Sequence, residues 1–177
     1  MIIGQRIIHY PAVDSTNEAA RRLIKQGLGE GLVVVAERQT KGRGKPGSRW
    51  FSPRGNLYFS AVIEPYKNPR ELAPITLIGA LAARAVLMRL AKLPVIIKWP
   101  NDLQIHGRKV GGILTERLSS GQVIIGIGLN LNSVPAEVKR TAVSLRQLTG
   151  KKYLPRTALR RLNIELDKEY QLFLKRL

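Results

Sequence analysis

Hydrophobic positions recur along this chain with two different periods. Residues 6–10 (RIIHY) read as a short strand, residues 32–36 (LVVVA) as a continuous apolar run short enough for a buried strand, and residues 57–63 (LYFSAVI) as an aromatic and β-branched strand. Between the first two, Ser15 with Glu18 three positions on has the form of a capping box. Ala19, Ala20, Leu23 and Ile24 then share one helical face until Gly27 and Gly29. Residues 71–92 predict a long buried helix that stops before Pro94. Four further strands are expected at 95–99, 103–106, 110–118 and 122–129, with turn chemistry at Asn101-Asp102, Gly107 and Ser119-Ser120-Gly121. Leu159, Leu162, Leu166, Tyr170, Phe173 and Leu177 form a stripe that predicts a final helix over 156–177. Short strands joined by hairpin turns and flanked by helices give an α+β class with a mixed, largely antiparallel sheet. No repeat, linker or second core is visible, so residues 1–177 are expected to form one domain.

Composition narrows the chemistry. With no cysteine in 177 residues, a disulfide scaffold, a Cys-ligated metal and a cysteine nucleophile are excluded, and a reducing cytoplasm is the simplest location. The N-terminus lacks the pattern of a cleaved leader, and no apolar run is read as approaching the ~18 residues of a membrane span, so a soluble protein without a membrane partner is expected. Thirty Lys plus Arg against 12 Asp plus Glu leave a net charge of +18. That excess suits an anionic partner, whether nucleic acid, nucleotide phosphate or acidic protein, or else a solvated basic surface.

Candidate chemistry sits in a few segments. Residues 38–54 (RQTKGRGKPGSRWFSPR) hold Arg38, Lys41, Arg43, Lys45, Arg49 and Arg54 without one acid, and Gly42, Gly44 and Gly47 allow close backbone approach. This is an anion-binding loop or a solvated one, and its glycine spacing matches neither of the two common phosphate fingerprints. Lys98-Trp99-Pro100-Asn101-Asp102 brings a cation, an amide and a carboxylate to the end of an apolar strand, suited to phosphate, an adenine edge or magnesium, or simply to a turn. Lys109 opens a strand thinned by Gly111 and Gly112. Alternation places Gly126, Gly128, Asn130 and Asn132 on one face of another strand, a face better fitted to a pocket floor than to a core.

Together these segments resemble the catalytic domain of biotin protein ligases. The pieces that carry the resemblance are DSTNEA at 14–19, ERQTKGRGKPGSRW at 37–50, GNLYFS at 55–60, KWPNDL at 98–103, GRKVGGILTE at 107–116 and IGIGLNLN at 125–132, in the family's order. The resemblance implies the fold shared by class II aminoacyl-tRNA synthetases and biotin and lipoate ligases. It also implies ATP and biotin as substrates with Mg²⁺, biotinyl-5′-AMP as the intermediate, and transfer of biotin to a lysine of a biotin carboxyl carrier protein of acetyl-CoA carboxylase or a related carboxylase. On the same basis Ser15, Thr16, Asn17, Gln39, Gly42, Arg43, Gly44, Lys45, Lys109, Gly112, Gly126 and Gly128 are expected around biotin. Arg43, Lys45, Trp50, Asn101, Asp102, Lys109 and Asn130 are expected around the nucleotide. Lys109 and Arg43 are the implied catalytic residues, and Asp102 the implied metal ligand.

The sequence also departs from the family pattern. Lys45 and Ser48 stand where arginines are usual, and lysine does not reproduce bidentate guanidinium contacts, so faster escape of biotinyl-AMP and relaxed acceptor specificity are expected. Neither an N-terminal helix-turn-helix nor a C-terminal SH3-like module is read in the chain, and a homodimer is left open. A lipoate or octanoate ligase of the same fold is the enzymatic alternative. A basic nucleic-acid-binding domain is the non-enzymatic one, although nucleic acid is not required to account for residues 38–54.

Overall fold

A computed structural model describes residues 1–45, 47–65 and 72–175. Pro46 of the basic loop, Glu71 at the expected helix start and Leu177 at the expected helix end lie outside the described residues. Seven strands form one sheet: β1 (Arg6–Tyr10), β2 (Leu32–Ala36), β3 (Leu57–Ile63), β4 (Ile96–Lys98), β5 (Asp102–Ile105), β6 (Arg108–Arg117) and β7 (Val123–Leu129), in the spatial order β1-β2-β3-β7-β6-β5-β4. Only β1 and β2 run parallel. A parallel pair needs a crossover, and α1 (Thr16–Lys25) supplies it.

The two faces of the sheet do different work. Phe59, Ala61, Ile113, Ile125 and Ile127 point to one side, where α2 (Ala73–Ala91) and α4 (Pro155–Leu174) complete the main core. Val34, Val62 and Ile124 point to the other and meet Ala19 and Ala20 of α1. β2 is buried on both faces, which is why its sequence is continuously apolar. Because α1 covers only the β1-β2-β3-β7 side of its face, the β7-β6-β5 side is left for other use.

Two expectations are corrected here. α2, at 19 residues with mean hydropathy 1.5, is long and apolar enough by length and composition to cross a membrane. Arg84 and Arg89 break the apolar run in sequence and hide this. In the fold α2 packs on β6, β7 and α4, and Arg84 Nε donates to the Val95 carbonyl at 2.8 Å. The final helix begins at Pro155 and ends at Leu174, with Lys175 as its C-cap.

Residues before β1 are fastened to α4. Buried Asp167 accepts the backbone N–H groups of Ile2 and Ile3, the latter at 2.9 Å, and Gln171 donates to its other oxygen at 2.6 Å. Asp167→Ala would strand two backbone donors. It is expected to lower stability by about 2 kcal/mol, read as a lower urea midpoint at unchanged slope, with ligand affinity preserved.

Candidate active site

The strand register builds the floor of the site. On the face away from the main core, Tyr58, Gly128, Gly112, Asp102 and Lys98 stand in one row across β3, β7, β6, β5 and β4; Ser60, Gly126 and Leu114 form the next row. Side chains are missing where something else must lie. A Cβ at Gly128 would stand 2.5 Å from Trp50 Cε2, one at Gly112 2.9 Å from Trp50 Cζ3, and one at Gly126 would run into the Asn17 amide. The expected floor is therefore present in its glycines but not in both asparagines. β7 ends at Leu129; Asn130 turns its amide to the Lys109 carbonyl at 3.3 Å, and Asn132 binds Gly55 O and both backbone groups of Tyr153, so it ties the entry of α4.

Residues 42–45 and 47–50 form an arm rather than a free loop. Trp50 N–H donates to Gly42 O at 3.0 Å, Gly44 N–H to Ser48 O at 3.2 Å and Ser48 N–H to Lys45 O at 2.8 Å, which makes a hairpin. The Ser48 hydroxyl turns back to Lys45 O at 2.7 Å and so closes the tip. Gly42 is packed beneath Trp50 O and Ser52 and does not line the cavity, contrary to expectation; its role is to let the arm fold back at its root. Tyr58 holds the chain just after the arm by donating to Pro53 O at 2.6 Å, and burial pushes its phenol well above the ordinary range, so it remains a donor.

Between arm and floor lies a cavity of about 330 Å³. Ser15, Thr16, Asn17, Gln39, Arg43, Gly44, Lys45, Trp50, Asn101, Asp102, Lys109, Gly112, Gly126 and Gly128 line it. The entry of α1 is fixed from outside the helix. Thr16 N–H and hydroxyl both donate to Gln39 Oε1, at 2.8 and 3.1 Å, and Ser60 donates to Asn17 Oδ1 at 2.6 Å. Asp14, doubly bonded to Arg22, is held down to about 2 by that guanidinium and stays charged while accepting Ser15 N–H at 2.7 Å. The predicted capping box does not form. Ser15 is the N-cap, but its side chain makes no cap hydrogen bond, and Glu18 turns to Arg43 and Arg21 because two guanidinium partners outweigh one backbone amide.

A second cavity of about 470 Å³ opens on the far side of Trp50. Phe51, Val134, Pro135, Val138 and Ala142 give it an apolar wall, while Arg49, Lys98, Lys109 and Arg140 give it cations, with Asn130 and Asp102 between. Trp50, Arg49, Asp102 and Lys109 line both cavities. Lys109 Nζ lies 2.7 Å from Asp102 Oδ1 and 5.3 Å from the centre of the Trp50 ring. Its backbone is clamped as well: Lys109 N–H donates to Thr141 O at 2.8 Å, and Val143 N–H donates to Lys109 O at 2.9 Å. The buried Trp50 Nε1 has no hydrogen-bond partner among the described residues.

Several placements differ from the sequence expectation. Arg43 lines the first cavity, with its guanidinium paired to Glu18 and Glu116. The 98–102 segment is not in an apolar setting: β4 is an edge strand, and Ile96 and Trp99 are 66% and 62% exposed. Glu116, Ser60, Tyr58 and residues 134–143 were not legible as site residues. A polar side chain at even positions of apolar β3 and the acid ending the GGILTE run were the available signals. Among the described residues no group of three His, Cys, Asp or Glu gathers, so no dedicated metal cage is built. Asp102, whose Oδ1 is paired with Lys109, is the carboxylate in the lining of the second cavity.

The match to known proteins agrees with this geometry. The model of the biotin/lipoate A/B protein ligase family matches residues 10–130, which include the floor, the arm and Lys109. The chain belongs to that family. Among curated relatives it is 34% identical over 179 residues to the bifunctional ligase/repressor BirA of Bacillus subtilis, covering 96% of this chain and 55% of that protein. It is 40% identical over 129 residues to the biotin--[acetyl-CoA-carboxylase] ligase of Paracoccus denitrificans, covering 69% of this chain and 53% of the relative. The chain thus spans about half the length of these relatives. Among solved structures, the family's biotin protein ligase from Aquifex aeolicus in complex with biotin and ATP superposes with a TM-score of 0.87 at 35% identity, over 97% of this chain and 72% of that one. The Leishmania major biotin protein ligase with biotinyl-5-AMP gives 0.79 at 32% identity, over 92% and 73%. The mixed seven-stranded sheet flanked by helices is thereby the family fold.

Proposed function

We propose that residues 1–177 form the catalytic domain of a biotin protein ligase, which joins biotin to ATP as biotinyl-5′-AMP and passes biotin to a lysine of a carboxylase carrier domain. The observation that carries this reading is the pair of cavities that meet at Trp50, with Lys109 lining both. The first, ringed by Ser15, Thr16, Asn17 and Gln39 over a glycine floor, suits a small ring with amide-like edges. The second, apolar on one wall and cationic on the other, suits a nucleotide. Lys109 then stands where a carboxylate in one cavity approaches an α-phosphate in the other.

The chemistry asks for no protein nucleophile. A biotin carboxylate oxygen attacks the α-phosphorus, the bond to the β-phosphate oxygen breaks, and pyrophosphate leaves. The carrier ε-amine later attacks the acyl carbon, loses a proton, and AMP departs. What the chain supplies is orientation and positive charge at the point where two anions meet. Lys109 bridges carboxylate and α-phosphate, Arg49 and Lys98 face the phosphate tail, and Trp50 separates the two halves of the ligand. Bound magnesium would add charge neutralisation on the phosphates, with Asp102 holding it. Lys45 is exposed at the arm tip and Ser48 spends its hydroxyl on the tip itself, which supports weaker retention of the adenylate. The absence of cysteine supports a reducing cytoplasm as its location.

Nucleic-acid binding is disfavoured because Trp50, the arm's indole, is turned onto the glycine floor and is not offered for base stacking. Mass spectrometry is the direct test. With biotin, ATP and magnesium, the carrier domain of a carboxylase is expected to gain one biotinyl group, lipoate should give none, and an unrelated lysine-bearing protein should acquire slower, scattered label. An unmodified carrier and no biotin-dependent AMP would sink the reading.

A further inference from the structure

We propose that Glu116 is a positioning residue: its single carboxylate helps to fix the orientation of Asn17 in the lining of the first cavity and latches the arm through Arg43. The inference rests on the biotin-ligase reading and deepens it. Glu116 lies on β6 two positions beyond Leu114, on the cavity face, with its side chain only 15% exposed. Its Oε2 accepts from Asn17 Nδ2 at 2.8 Å; its Oε1 accepts from Arg21 Nη2 at 3.2 Å and forms an ion pair with Arg43 Nη2 at 3.0 Å.

Consider Asn17 first. Its Oδ1 accepts from the Ser60 hydroxyl, and its Nδ2 lies between Glu116 Oε2 and the Leu114 carbonyl at 3.3 Å. A hydroxyl serves as donor or acceptor, so Ser60 would tolerate either amide orientation. A carboxylate only accepts. Turned over, Asn17 would set its oxygen against both Glu116 and the Leu114 carbonyl, and these two acceptors together fix which edge of the amide a ligand meets.

Arg43 is the other half. Its guanidinium lies between Glu116 and Glu18, and Glu18 also pairs with Arg21 at 3.5 Å, so two acids and two arginines alternate in a neutral ring. Arg43 belongs to the first strand of the arm, whereas the acids belong to β6 and α1. Its charge is therefore committed to holding the arm down. Catalytic charge falls to Lys109 and to the cations of the second cavity, and Arg43 acts as the latch.

Three variants separate the roles, read by two measurements: biotin affinity by calorimetry without ATP, and the rate at which preformed biotinyl-AMP leaves on dilution. Glu116→Gln keeps a hydrogen-bonding side chain against Asn17, with the Leu114 carbonyl still opposing the turned amide, but loses the charge that holds Arg43. Biotin affinity is expected within about threefold of wild type, with adenylate release about tenfold faster. Glu116→Ala should lose both, with biotin binding about tenfold weaker as well. Glu18→Gln should speed release alone. Raising salt should narrow the difference in release between wild type and Glu116→Gln, because screening loosens the intact latch. If Glu116→Gln weakens biotin as much as Glu116→Ala does, or if neither changes release, the proposal is overturned. Should the alanine variant fail to fold, the near-isosteric glutamine variant still decides, since unchanged release in it overturns the latch. Wild-type protein that neither binds biotin nor forms the adenylate would remove the ligase reading and this inference with it. An active wild type with unmoved variants removes the inference alone.

Discussion

Lys109→Ala is expected to lower the rate of biotin-dependent pyrophosphate exchange by about 10²- to 10³-fold, the cost of removing one preorganised charge from a developing anionic centre. The geometry gives the reason. Lys109 is the lysine that lines both cavities, its ammonium is 2.7 Å from Asp102, and its backbone is clamped by Thr141 and Val143, so its position is set before any ligand enters. Two anions about 4 Å apart repel by roughly 4 kcal/mol at an effective dielectric near 20, and a cation between them removes most of that. Supplying preformed biotinyl-AMP bypasses the step. Transfer to the carrier should then fall much less than exchange does, whereas a folding defect would depress both equally. An exchange rate within threefold of wild type would remove Lys109 from the mechanism.

Gly128→Ala is expected to lower kcat/KM for biotin and for ATP together, by about ten- to a hundredfold. The added methyl would stand 2.5 Å from the Trp50 ring, a contact that atoms do not sustain, so the ring must shift. Its backbone is bonded to Gly42, and Lys109 lies against the indole. Overpacking of this kind costs about 1–3 kcal/mol, here spent on the partition shared by both cavities. Stability should change little, because the methyl points to the cavity and not to the α2 side of the sheet. Kinetics with each substrate varied in turn provide the check; a defect confined to one substrate would mean that Trp50 does not serve both.

Much of the fold was legible because it is local. Alternation and apolar runs located the strands, and the stripe from Leu159 to Phe173 located α4. The glycines of the floor were legible for the same reason: Gly126 and Gly128 share a face by period alone. Where the expectation failed, a distant group intervened. The Ser15-Glu18 box has the right spacing, yet Glu18 meets Arg43, 25 positions away. Ser144 and Gln147, with the same spacing and a neutral amide in place of the carboxylate, do form the box. Asn132 has the alternation of a pocket residue, but the strand ends at Leu129 and the amide is captured by Tyr153.

The sequence by itself determined the elements, the bare face of β6 and β7, the concentration of cations in residues 38–54, and the family, since each is carried by periodicity or by residue type within a short window. Only the tertiary structure decided what each cation meets. Arg43 is neutralised by Glu18 and Glu116, and Lys109 is shared between two cavities divided by Trp50. The physical reason is that a charge acts through its neighbours in space. The contact that sets Asn17 joins residues 99 positions apart, a separation that no local pattern encodes.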